Sequence, residues 1–211
     1  MSDLKQLFQA VLDGDADVAR ETVEALIAAG TKPEAILGQA LIPAMDEVGA
    51  RFERQEFYVP EMLVSARAMQ SGLAILRPLL AASGIKASAK AAIGTVQGDL
   101  HDIGKNLVIM MLEGAGLEVI DLGVDVPPQR FAEAVRNGAQ LVGISALLTT
   151  TMAKIPDVIE ALEDSGVRPS VKVIVGGAPL NQAFADKIGA DGYAPDASQA
   201  ASLAKRLLSL K

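Results

Sequence analysis

The sequence predicts an α/β protein, with a four-helix bundle first and a five-stranded parallel, doubly wound sheet after it. Three observations predict this. Residues 1–84 place apolar side chains at helical spacing throughout. Beyond about residue 90 the pattern turns to short apolar runs alternating with helical stretches, as in a parallel sheet covered on both faces. Between the two, Ala81–Lys90 is rich in small residues, so we place the domains at 1–84 and 85–211.

In the first domain Leu4, Leu7, Phe8, Val11 and Leu12 form one apolar stripe on a first helix, and a second helix follows from about Asp15. Thr31-Lys32-Pro33-Glu34 reads as a capping box opening a third helix that reaches about Ala50. Pro60 opens a fourth, expected to bury Leu63, Met69, Leu73 and Leu76 and to fade near Ser83-Gly84. In the second domain the strands are expected at Ala91–Val96, Leu117–Leu122, Leu141–Ser145, Val171–Val175 and Asp191–Ala194. Helices are expected near 102–115, 129–137, 150–165, 180–188 and 197–210, with Leu122–Pro128 as a short Pro-rich connection.

Composition excludes several classes. Half of the 211 residues are apolar and 21% are charged, which excludes a disordered or fibrous chain. Aromatics make up 3% with no Trp, so a stacking platform for bases is not expected, and a net charge of -7 repels phosphate backbones; no nucleic-acid partner is expected. Without Cys there is no disulfide framework, thiolate zinc site or iron–sulfur cluster. No run reaches the ~18–20 uninterrupted apolar residues of a membrane span, and the first residues lack a secretory pattern. The expectation is a cytoplasmic protein with no membrane partner.

The most distinctive segment runs from Gly94 to Asn106, leaving the first strand and entering a helix at the edge where doubly wound sheets bind ligands. His101, the one histidine, can offer one ring nitrogen to a metal while Asp99 accepts a hydrogen bond from the other, which fixes the tautomer. Gly98 and Gly104 keep the segment free of side chains. Asp102 reads equally as a helix N-cap.

Asp99-x-His101-x-x-Gly104, then Ser145-x-Leu147, then Gly176-Gly177, resembles the three-part signature of the cobalamin-binding module shared by methionine synthase and the corrinoid proteins of methyltransferase systems. The whole run Gly-Asp-Leu-His-Asp-Ile-Gly-Lys-Asn is similar to that family. The N-terminal half resembles the family's helical cap over the corrin, and the second domain its Rossmann-like module. The resemblance implies a cobalamin cofactor bound with its own base displaced and His101 as lower cobalt ligand, Asp99 behind it, and Thr151 where methionine synthase has a Ser. It implies further contacts to the cofactor from Gly98, Asp102, Ile103, Gly104, Ser145, Leu147, Thr149, Gly176, Gly177, Tyr193 and Ala194. Gly176-Gly177 also reads as a tight strand-to-helix turn. Phe52, Val59 and Met62 align with positions facing the axial methyl, and Val59 and Met62 read equally as bundle core.

By the same resemblance the chain is a carrier cycling between cobalt(I) and methyl-cobalt(III). Its partners would be a substrate-specific methyltransferase, an acceptor methyltransferase using tetrahydrofolate or a thiol, and a reductive activator. The cap would move aside as a rigid body about Ala81–Lys90. The alternative is a cobalamin-dependent sensor, which would need a DNA-reading domain and basic patch that the sequence lacks. A mutase small subunit would share the signature without needing the cap.

Overall fold

The structure, a computed structural model, describes residues 2–82 and 87–210. The expected end of the fourth helix at Ser83-Gly84, and the middle of the expected hinge, lie outside the described residues. The chain divides into two units: Met1–Ala87 with Gly114–Gly116, and Ser88–Glu113 with Leu117–Lys211.

The first unit is helical. It comprises α1 (Ser2–Leu12), α2 (Ala16–Ala28), a run from α3 (Pro33–Ile36) through a π-helical turn (Leu37–Leu41) into α4 (Ile42–Glu53), and α5 (Val59–Ala82). Asp15 caps α2 by accepting from the Val18 N–H at 3.0 Å. The expected capping box does not form. The N-cap is Lys32, without a side-chain hydrogen bond, which leaves Glu34 one position short of the site a box requires. Thr31 is committed elsewhere, its N–H closing α2 on the Leu26 carbonyl behind left-handed Gly30. The third helix is also not uniform: the Ile42 N–H reaches back five residues to the Leu37 carbonyl. Pro43, having no N–H to give, follows directly, and the wider turn accommodates it. On α5 the buried face runs through Met62, Ala66, Met69, Leu73 and Leu76. Leu63, expected in the core, is 40% exposed, because it sits about 100° around the helix from Met62.

The second unit is the α/β fold that the alternating pattern predicts. Its elements are β1 (Lys90–Val96), α6 (Ile103–Gly114), β2 (Glu118–Val126), α7 (Pro128–Arg136), β3 (Leu141–Ser145), α8 (Thr149–Met152), α9 (Ile155–Asp164), β4 (Lys172–Gly176), α10 (Gln182–Ile188), β5 (Gly192–Ala194) and α11 (Ala197–Leu207), with a 3-10 turn at Arg168–Ser170. All neighbouring strands are parallel, in the order β2-β1-β3-β4-β5. Phe131 of α7, Ile155, Val158 and Leu162 of α9, and Val142, Ile144, Val173 and Val175 of the sheet share one core. Each fully buried side chain of this kind contributes about 1.5–3 kcal/mol.

Two elements differ from expectation. The helix expected over 150–165 is broken into α8 and α9 at Ala153-Lys154, because Pro156 cannot donate to Met152 and its ring would crowd that carbonyl. β2 does not stop at Leu122. It continues to Val126 through two irregularities, pairing Ile93 with Asp121, Gly94 with Gly123 and Val96 with Val126. Gly123 (φ 88°) and Asp125 (φ 52°) adopt left-handed backbone there, and such poor strand formers hide the continuation in the sequence. Among the described residues no helix is long and apolar enough to cross a membrane.

Candidate functional site

With this strand order the switch point lies between β1 and β3, whose following connections leave for β2 on one side and β4 on the other. Ligands of doubly wound sheets bind at such a point, beyond the carboxyl ends of the strands. The segments there are Gln97–Asp102 after β1 and Ala146–Leu148 after β3.

Asp99 joins the two segments. Its side chain is buried, with the residue 1% exposed, and both oxygens are saturated. Oδ1 accepts from the His101 main-chain N–H at 3.0 Å and from His101 Nδ1 at 2.7 Å. Oδ2 accepts from the Leu147 N–H at 2.8 Å and from the Thr151 hydroxyl at 2.6 Å. Burial pushes the carboxyl up, but the Thr151 hydroxyl, the Leu147 and His101 amides and the His101 ring together hold it well below the usual carboxylate range. An ionised carboxylate only accepts, so Nδ1 must carry the proton and the imidazole lone pair is left on Nε2. The His101 side chain is 52% exposed, so that lone pair is accessible.

Thr151 reaches Asp99 because α8 is a separate short helix beginning at the edge of the switch point. Its hydroxyl has one proton and two acceptors in range, Asp99 Oδ2 at 2.6 Å and the Leu148 carbonyl at 3.0 Å. The shorter contact goes to the charged oxygen, the stronger acceptor.

Four supports around this pair were not anticipated. Buried Thr95, at the end of β1, donates from its hydroxyl to the His101 carbonyl at 2.9 Å. Buried Lys105, on the first turn of α6, donates to Asp121 of β2 at 2.6 Å and to Asn106 at 2.7 Å. Asp125 accepts from the Gly98 N–H at 2.7 Å while its own N–H donates to the Asp99 carbonyl at 2.9 Å. The signal for Asp121 and Asp125 was a pair of acidic residues around a glycine in an otherwise apolar run, which the strand-to-connection assignment set aside.

The remaining expected residues are distributed as follows. Gly98 (φ 86°) turns the segment after β1. Asp102 is exposed and precedes α6, its carbonyl accepting from the Asn106 main-chain N–H at 2.8 Å; its carboxylate accepts from the Asn106 side-chain amide at 3.2 Å rather than from a main-chain N–H of the first turn, as a capping side chain would. Leu100 and Ile103 flank His101 with exposures of 72% and 78%. Around Gly104 the space where a Cβ would project is open. Ser145 ends β3 in register with Thr95 and Gly176; Leu147 contributes its N–H and leaves its side chain exposed, and Thr149 is exposed at the start of α8. The Gly176-Gly177 pair is needed by the chain itself: a Cβ on Gly177 (φ 128°) would collide with the Ala146 carbonyl, and one on Gly176 would crowd that of Ala194. Tyr193 is half-buried against the core and Ala194 is buried. In the helical unit Phe52 is half-buried on α4, Val59 is exposed at the start of α5 and Met62 is buried.

Chemically, the α/β unit offers one outward nitrogen with a fixed tautomer, apolar side chains beside it and an uncrowded glycine one turn away. Among the described residues no group of three or more His, Cys, Asp or Glu side chains could hold a metal ion. The donor set therefore suits a metal that brings its other ligands with it in a large, largely apolar frame.

A B12 binding domain family matches residues 89–202, and a second B12 binding domain family matches residues 3–77. The chain is 45% identical over 212 residues to dimethylamine corrinoid protein 3 of Methanosarcina acetivorans, covering 99% of this chain and 100% of that one. It is 42% identical to a corrinoid protein of Desulfitobacterium hafniense, covering 99% and 98%. Among solved structures it resembles the methanol:cobalamin methyltransferase complex of Methanosarcina barkeri, with a TM-score of 0.88 and 28% identity over 99% of this chain and 80% of that one. It also resembles a cobalamin-binding protein of D. hafniense, with a TM-score of 0.79 and 31% identity over 98% of each chain.

Proposed function

Since this chain belongs to the B12-binding corrinoid proteins, we propose that it is the methyl carrier of a methyltransferase system. Its cofactor is a corrinoid. When bound, that group supplies a cobalt that takes a methyl group from a donor and passes it to an acceptor. The observation that carries the reading is the His101 imidazole, held at Nδ1 by a saturated, ionised Asp99 and open at Nε2.

In this reading His101 would hold the cobalt through Nε2, in place of the cofactor's own base. Asp99 keeps the Nδ1 proton in place and stabilises positive charge on the ring, and Thr151 holds Asp99 from behind. Leu100, Ile103 and Leu147 present apolar surface to the cofactor beside the ligand, Gly104 leaves room for its approach, and Ser145, Thr149 and the segments after β4 and β5 border its tail. To the helical unit, through Phe52, Val59 and Met62, we assign the exclusion of water during methyl carriage.

The partners in this reading are a substrate-specific methyltransferase and an acceptor methyltransferase, with a reductive activator. The dimethylamine corrinoid relatives and the methanol:cobalamin methyltransferase complex support a donor enzyme that acts on a small methylated compound. The test is the electron paramagnetic resonance spectrum of the cobalt(II) protein. Nitrogen splitting from a protein ligand is expected in the parent and absent in His101→Ala; if it persists in the variant, His101 is not the ligand.

A further inference from the structure

The function assigned to His101 and Asp99 depends on where the main chain of Gly98 and Asp99 lies, and a residue on another strand holds that peptide. Asp125, next to last in β2, has φ 52°, a left-handed conformation uncommon outside glycine and least unfavourable for Asn and Asp. Two irregularities in the β1–β2 register produce it, since five steps along β2 from Asp121 to Val126 match three along β1 from Ile93 to Val96. Such bulges re-aim side chains beside functional sites. Here the effect is a two-way clasp: the Asp125 carboxylate accepts from the Gly98 N–H at 2.7 Å, and the Asp125 N–H donates to the Asp99 carbonyl at 2.9 Å.

From this geometry we infer that Asp125 is a positioning residue for His101, acting through the main chain of Gly98-Asp99. Its clasp fixes one side of the Asp99 backbone, and the Asp99 N–H is fixed on the Val96 carbonyl at 3.1 Å. With both ends of the residue held, the carboxylate can meet four donors on two different segments at once. The left-handed backbone of Asp125 costs energy that the charge-assisted bond to the Gly98 N–H offsets, and strain of this kind concentrates at functional sites. The inference rests on the proposed role of His101.

Because His101 is the one histidine in the chain, its ring signals in a nitrogen-15 NMR spectrum are unambiguous. The experiment compares Asp125→Asn, which keeps an acceptor oxygen and tolerates left-handed backbone, with Asp125→Gly, which relieves the backbone and removes the acceptor. In the cofactor-free full chain, the His101 Nδ1–H is expected to exchange with solvent about tenfold faster in Asp125→Gly, from the loss of one charge-assisted hydrogen bond behind Asp99. Asp125→Asn should stay within a factor of two or so of the parent. Thermal unfolding should show both variants folded, because glycine is at ease at this φ. After loading with cobalamin, the fraction of cobalt(II) protein showing nitrogen splitting should fall in Asp125→Gly and recover in Asp125→Asn. Unchanged Nδ1–H exchange in Asp125→Gly would overturn the inference. So would equal losses in the two variants, because the acceptor would then not be what matters. Persistence of nitrogen splitting in His101→Ala refutes the role of His101 whatever the Asp125 variants do, which keeps the two failures apart.

Discussion

The two ends of the sheet each hold a carboxylate below its ordinary pKa, and they do so with opposite kinds of partner. At the amino ends of β4 and β5, Asp191 accepts from the Arg168 guanidinium at 2.9 Å, from Lys172 at 3.2 Å and from the Val173 N–H at 2.8 Å. Burial disfavours its ionised form, but the Val173 amide and the two cations hold the carboxyl below the usual range. At the carboxyl ends of β1 and β3, Asp99 is satisfied by two amides, a hydroxyl and an imidazole, with no Lys or Arg among its partners. Cations close the first site on itself. Neutral donors leave the second with its charge directed at one ring whose far nitrogen is open. The difference teaches that a buried carboxylate serves stability or function according to whether its partners complete the charge or pass it outward.

Breaking each end in turn should separate the two roles. The largest stability effect is expected for Asp191→Ala, which leaves the mostly buried Arg168 guanidinium without its carboxylate, held only by the Val171 and Gly189 carbonyls. A loss of about 3 kcal/mol in urea unfolding is expected, with the cobalamin spectrum unchanged at temperatures where the variant is folded. Asp99→Asn should cost about 2 kcal/mol, since an amide nitrogen cannot accept from Leu147 or Thr151, and it should also abolish nitrogen ligation in the cobalt(II) spectrum. If the two variants changed the spectrum equally, the division of labour would be wrong. Thr151→Val removes one donor at nearly constant shape, so about 1 kcal/mol is expected, with Thr151→Ser restoring whatever change in cobalt ligation follows.

The smallest effect concerns acid. Both carboxyls have folded-state pKa values depressed below the ordinary aspartate value near ~4, so the stability they contribute is complete above that pH and is lost as the pH falls below it toward the folded-state values. Unfolding free energies measured between roughly pH 5 and pH 2 should therefore decline less steeply in Asp191→Ala than in the parent. An unchanged slope would mean that Asp191 is not a source of the acid sensitivity.

Much of the fold was legible because its signals are local. Most strands of the sheet are near-continuous apolar runs, the helices have their own period, and α7, α10 and α11 begin within a few residues of expectation. The errors fall where backbone chemistry interrupts a pattern: Pro43 widens a turn in the third helix, Pro156 splits the helix after β3, and Gly123 with Asp125 disguises the second half of β2. Leu63 was misassigned because a helix with apolar residues on more than one side does not announce which side is buried.

At the site, the Asp99–His101 pair was readable because the two residues are two apart in sequence, and a carboxylate that close to an imidazole can meet Nδ1 wherever the segment turns. Thr151 was expected by resemblance to methionine synthase; its hydrogen bond to a residue 52 positions earlier exists because parallel pairing of β1 with β3 brings the two loops to one edge. The local signal of Asp125, an acidic residue beside a glycine in an apolar run, does not reveal its role, which depends on a bulge that forms only when β2 pairs with β1. The order of amino acids by itself determined the alternation of elements and the pairing of His101 with Asp99, since hydrophobic period and short-range geometry act within a few residues. The clasp on Gly98-Asp99, the saturation of Asp99 and the open face of His101 were decided by tertiary structure, because strand order and register choose which distant polar groups share one edge.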